Sequence, residues 1–129
     1  MSANLPESDC LEGLPHPRET PVLFGHLKAQ NEFADAAKNK KIHHAWLLAG
    51  PKGIGKATLA WTMARYLLSL SSNETLNSEF SSFTKFNIQL DDPMSKRISA
   101  LSEPKLQLIR KAWDTKTEKF RQSISVDDI

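Results

Sequence analysis

Gly50-Pro51-Lys52-Gly53-Ile54-Gly55-Lys56-Ala57-Thr58 is the stretch whose reading decides the fold. It follows G-x-x-x-x-G-K, the core of a P-loop. The spacing has a chemical reason. Gly50 closes the preceding segment, and Gly53 and Gly55 permit backbone conformations that side chains exclude. Successive N–H groups then converge on an anion at the start of a helix, and Lys56 reaches toward terminal phosphates. A tight turn that binds nothing is the competing reading, and a bare glycine-rich turn would not separate the two. The flanks do. Ala45-Trp46-Leu47-Leu48-Ala49 is a short apolar run of the kind found in strands buried on both faces of a parallel sheet. Lys56 to Leu70 reads as a helix with Leu59, Ala60, Met63, Ala64, Leu67 and Leu68 on its apolar side. Strand, loop, lysine and helix together predict an α/β chain of the P-loop NTPase class, with a parallel sheet that is incomplete in this chain.

The residue after the lysine carries a second message. A working P-loop places Ser or Thr there, and its hydroxyl ligates Mg²⁺. Here it is Ala57. Thr58 lies one residue on, about 100° further round the helix, so its hydroxyl is no simple substitute. The nucleotide-binding candidates are therefore Gly50, Lys52, Gly53, Ile54, Gly55, Lys56, Ala57 and Thr58, in a degenerate loop. The expectation is weak or absent binding of ATP or ADP, doubtful Mg²⁺, no catalytic residue and no metal site.

Outward from the loop, residues 1–21 hold Pro6, Pro15, Pro17 and Pro21, and read as an extended arm. Residues 22–129 read as the first part of the P-loop domain. Leu27 to Lys40 has a helical stripe of Leu27, Phe33, Ala34 and Ala37. Residues 69–92 read as a loose connection or insertion, with scattered Phe80, Phe83 and Phe86. Pro93 to Leu101 suits a short helix capped by Asp91 or Asp92. Leu106 to Ile109 and Phe120 to Ser125 suit short strands. Val126 to Ile129 reads as the opening of a helix, so the chain looks like a fragment. Strand 45–49, lacking neighbours, is expected to expose both apolar sides.

The 129 residues carry 17 Lys+Arg against 15 Asp+Glu, a net charge of only +2. That gives no footprint for holding nucleic acid unaided. The single cysteine, Cys10, excludes an internal disulfide and reads as an incidental surface thiol. The start lacks a secretory signal. The longest mostly apolar stretch, 57–70, falls short of the roughly 20 residues of a membrane span. A cytoplasmic protein with no membrane partner is expected. His43-His44 lacks further ligands at metal spacing. Asp127-Asp128 follows no strand of consecutive apolar residues, so it reads as a helix-start charge pair. Lys38, Lys40 and Lys41 read as a solvated helix end, and Trp46, Trp61 and Trp113 as core or interface aromatics.

His16-Pro17-Arg18-Glu19-Thr20, Leu23-Phe24-Gly25-His26, His43-His44-Ala45-Trp46-Leu47-Leu48, the phosphate loop and Trp61 to Leu68 form one series. That series resembles the start of bacterial clamp-loader subunits of DNA polymerase III, most closely those of the delta-prime type. The similarity is dense over residues 16–70 and thinner at Ser102-Glu103-Pro104-Lys105-Leu106 and Ser125 to Ile129. It implies an AAA+ domain that continues into a lid and a collar, both absent here along with acidic Walker B, sensor and arginine-finger motifs. It places Leu23 and Phe24 beside an adenine pocket. It implies other clamp-loader subunits as partners in a hetero-pentameric ring, which places a sliding clamp on primed DNA. Within that ring it implies a stator with a degenerate ATP site, a subunit of the DNA-directed polymerase holoenzyme that is neither polymerase nor competent ATPase. An active P-loop ATPase or kinase with its metal held elsewhere, and a non-replicative AAA+ adaptor, stay open as alternatives.

Overall fold

The computed structural model describes residues 5–20, 22–71 and 91–129. The Phe80, Phe83 and Phe86 region, most of the 69–92 connection, and the ends of the 1–21 arm lie outside those residues. Three helices carry the fold: α1 (Leu27–Lys38), α2 (Lys56–Ser71) and α3 (Pro93–Ser99). A hairpin follows, with β1 (Trp113–Asp114) antiparallel to β2 (Lys119–Phe120). Short 3-10 turns form at Pro17–Glu19 and Val126–Asp128.

Helix α2 is the axis of the packing. On one side Leu59, Met63 and Tyr66 meet Phe33 and Ala34 of α1. On the other, Trp61 meets Met94 and Ile98 of α3. The expected stripe captured the first side and, of the second, only Leu68. Ala60, expected inside, is exposed, while Thr62 and Arg65 are buried. A helix covered on two faces cannot show the single stripe of a surface helix. Thr62 meets its burial by donating its hydroxyl to the Thr58 carbonyl at 2.7 Å.

α1 ends two residues earlier than the periodicity suggests, at Lys38, because Lys40 takes a left-handed backbone conformation. Leu27 is half exposed, and buried Gln30 takes its place in the stripe. The Gln30 side-chain amide donates to the Gly25 carbonyl at 2.6 Å, which makes that burial tolerable. α3 starts as read: the Asp92 carboxylate accepts from the Met94 and Ser95 amides, and Pro93 occupies the first turn; it ends at Ser99, two residues before Leu101, which takes a left-handed backbone conformation.

The strands are where the sequence reading is corrected. No parallel sheet forms among the described residues; their only ladder is the two-stranded hairpin. Residues 45–49 are extended but unpaired, and only one face is covered. Trp46 and Leu48 pack on the α1–α2 core, while Leu47 is 91% exposed. Residues 106–109 behave alike: Leu106 and Leu108 lie against the Trp61–Ile98 cluster, and Gln107 and Ile109 face out. The alternation is that of a strand, but a strand needs a ladder partner. The expected strand at 120–125 is also replaced. Its first residue, Phe120, belongs to β2 and stands opposite Trp113, with ring centroids 4.9 Å apart. Asp114 turns the hairpin by accepting from the Lys116 amide at 2.9 Å. At the end of the chain, Ser125 and Asp128 form a capping box, which accounts for Asp128 of the acidic pair.

Candidate phosphate site

The phosphate loop runs from the extended segment 45–49 into α2. Gly53 and Gly55 have φ of +86° and +96°, the left-handed region that side chains disfavour. The first bond of α2 runs from the Leu59 amide to the Gly55 carbonyl. The amides of Lys56, Ala57 and Thr58 therefore stand at the free N-terminal end of the helix, where an anion is favoured. The Lys56 ammonium donates to the Gly50 and Pro51 carbonyls at 2.7 and 2.6 Å. The loop is thus folded around its own lysine. The His26 ring lies 2.6 Å from the Ile54 carbonyl and ties the loop to the start of α1.

A cleft of about 690 Å³ opens over this loop. Gly50, Lys52, Gly53, Gly55, Lys56, Ala57 and Thr58 form one wall. Of the candidates in the phosphate loop only Ile54 is missing from it; it lies 42% exposed. Leu23 packs on the α1–α2 core and sits close to Gly55, and Phe24 is 85% exposed. Neither lines the cleft. The loop fits a phosphate: it offers a cation and unpaired amides at one point. It fits Mg²⁺ poorly. Ala57 supplies no hydroxyl, and the one carboxylate in the wall, Asp9, is bound to Arg110.

The opposite wall was not legible in the sequence. It is the N-terminal arm, including Asp9, Cys10, Leu11, Leu14 and Pro17. Cys10, read as an incidental surface thiol, is half-buried within it. An ion cluster fastens the arm. Arg18 grips Glu7 with both terminal nitrogens and donates through Nε to the Ser99 carbonyl at 3.0 Å. Arg110 donates to Glu7 at 2.5 Å and to Asp9 at 3.0 Å. The hydrogen bonds from Arg18, then those from Arg110, hold the Glu7 carboxyl down at about 2. The same pairing raises the Arg18 guanidinium.

His16 sits beneath this cluster, 5% exposed, with its ring edge-on to Trp61. Its Nδ1 accepts from the Arg18 amide, which puts the neutral ring's proton on Nε2. Nε2 lies 3.0 Å from Glu7 and 3.1 Å from Asp9, yet neither contact is aligned as a hydrogen bond. Proximity therefore overstates these contacts, and we count them as electrostatic only. Glu7, Asp9 and His16 also bring three potential metal-ligand atoms within 4.8 Å of one another. The donor set does not suit a cation. Two guanidiniums already occupy the carboxylates, and the imidazole presents a proton where a metal needs a lone pair. His43 and His44 are both exposed, and the His43 ring lies edge-on to Trp46.

Comparison with known proteins adds an independent line. Residues 25–129 match the family described as DNA polymerase III, delta subunit. Two curated relatives are each named DNA polymerase III subunit gamma. One is from Buchnera aphidicola subsp. Acyrthosiphon pisum (strain APS), 41% identical over 51 residues. The other, from Buchnera aphidicola subsp. Schizaphis graminum (strain Sg), is also 41% identical over 51 residues. Each alignment covers 36% of this chain and 14% of the relative, so the chain matches only a small part of those proteins' length. No solved structure matches the chain. Among the described residues, no helix is long and apolar enough to cross a membrane.

Proposed function

The chain belongs to the DNA polymerase III, delta subunit family, and from that premise we propose that it acts in a clamp loader of the bacterial replicative polymerase. Its partners are other clamp-loader subunits in a five-membered ring, and through them a sliding clamp and primed DNA, in the cytoplasm. Its role there is that of a delta-prime-type stator: a subunit that keeps the architecture of a nucleotide site without turning nucleotide over.

The observation that carries this reading is Ala57, set directly after Lys56 in the wall of the cleft. The chain's own residues do two things at this point. The Lys56 ammonium, now on two loop carbonyls, is the group a phosphate would draw away. The amides at the start of α2 add the partial positive charge of the helix end. A magnesium ion, were one held here, would supply charge that neutralises the terminal phosphates, on which hydrolysis depends. With a methyl group in place of the ligating hydroxyl, binding falls to the loop and lysine alone.

Calorimetric titration of the full-length protein with ATP, with and without Mg²⁺, tests the reading. Weak or absent binding that ignores Mg²⁺, with no steady-state hydrolysis, is expected. Tight magnesium-dependent binding with turnover would refute the degenerate site. Failure to enter a reconstituted clamp-loader complex would refute the assignment to the ring.

A further inference from the structure

We propose that the N-terminal arm is a strap, locked by the ion cluster of Glu7, Asp9, Arg18 and Arg110, whose release opens the phosphate loop. The arm forms the wall facing Lys52 and Lys56, so whatever enters the cleft passes beside it. Apolar burial does not hold residues 5–14 there, although the turn at Pro17–Glu19 packs on α2 and α3. Leu5, Leu11 and Leu14 are 57%, 49% and 60% exposed. The long-range attachments are polar. Arg110, 103 residues from Glu7 in sequence, binds Glu7 and Asp9, and Arg18 reaches the Ser99 carbonyl. The edge of His16 on Trp61 adds one buried anchor. Glu7 is the hub, since both guanidiniums close on it. Its side chain keeps 25% of its exposure, Arg110 keeps 29% and Asp9 21%. The Arg110 pairs, each about a quarter exposed, are partly screened by salt, the Arg18 pair at 12% less so, whereas apolar contacts are not weakened by it. The lock is therefore one that ionic conditions, or a competing charged partner, can undo.

Cys10 reports the strap directly. It is the only cysteine, and it lies in the arm's wall of the cleft. Alkylation of the full chain by N-ethylmaleimide, an uncharged reagent, measures how often that wall opens. Glu7→Gln and Arg110→Gln are each expected to speed labelling about tenfold. Glu12→Gln, which removes the same charge from an exposed site on the arm, is expected to leave the rate unchanged. Raising salt from about 0.05 M to about 1 M should speed the wild-type rate and leave Glu7→Gln unmoved. Equal rates in wild type and both lock variants would overturn the proposal. Should the variants lose helical circular dichroism, the salt series on wild type decides, and a salt-independent rate overturns it. The gating half rests on the loop being a phosphate site, and pyrophosphate calorimetry separates the two. Tighter binding to Glu7→Gln than to wild type supports gating. Equal binding to both overturns gating but keeps the phosphate site. No binding to either refutes the phosphate site, and gating with it.

Discussion

Replacing Glu7 by Gln should cost stability at neutral pH and nothing at strongly acidic pH. The carboxyl titrates near 2 in the fold against an ordinary 4.5, because Arg18 and then Arg110 hydrogen-bond to its charged form. At about 1.4 kcal/mol for each tenfold change in proton affinity, the ceiling is about 3.5 kcal/mol. The side chain is a quarter exposed. Solvent screening then brings the expected value to roughly 1.5–2 kcal/mol. The direction follows from proton counting. A carboxyl with a lowered pKa holds fewer protons folded than unfolded, so its contribution is complete above pH 4.5. It fades as pH falls toward about 2. Urea unfolding of the full-length protein, followed by the fluorescence of buried Trp61, gives the difference between wild type and variant at each pH. Glu103, Asp114 and Asp128 also have lowered pKa values. They titrate in both proteins and cancel in the difference. A gap that stays constant down to pH 2 would show that Glu7 acts through packing. No gap at pH 7 would show that the cluster does not form in solution.

Two other predictions concern the loop and its flank. Ala57→Ser restores the hydroxyl that a P-loop offers to magnesium, so ATP binding to the full-length protein should become stronger with Mg²⁺ than without it, while hydrolysis stays absent; calorimetry that shows no metal sensitivity would mean the pocket is closed for another reason. Leu47 is 91% exposed on an extended segment with no ladder partner among the described residues, a template for edge-to-edge association; Leu47→Lys should lower self-association of this 129-residue chain in sedimentation velocity while changing stability by less than about 0.5 kcal/mol, and unchanged association would place the adhesive surface elsewhere.

The parts of the fold that were legible are those whose cause is local. Asp92 and Pro93 fix the start of α3 through a carboxylate two and three residues from its amides. The spacing of Phe33 and Ala34 sets the face of α1. Extended backbone at 45–49 and 106–109 was legible as well, but the alternation of covered and open side chains along it was not. What composition could not supply was the partner. An apolar run is the same string whether both faces are covered or one, and Leu47 records the difference. The second buried face of α2 escaped for a related reason. Arg65 and Thr62 sit inside because α3 and the turn at Pro17–Glu19 arrive there, and no residue near them in sequence announces it.

The candidate site divides along the same line. Gly53, Gly55, Lys56 and Ala57 were legible because a phosphate loop is a backbone device, and its glycines and lysine must keep fixed offsets. The facing wall is built from charges whose partners are far apart in the chain. Glu7 meets Arg110 across 103 residues, and Arg18 meets Ser99 across 81. An alternation of acid and base in a proline-rich arm is what solvated termini also show, so it carries no signal by itself. Cys10 passed for an incidental surface thiol for that reason, although it lies in the wall of the cleft. The loop and the arm thus differ in kind. The loop's chemistry is written in spacing and survives the change at Ala57 as recognisable architecture. The hold on residues 5–14 depends on charges meeting in space, and that stretch is the part of the site that conditions and partners can alter while the core around Trp61 and Phe33 stays packed.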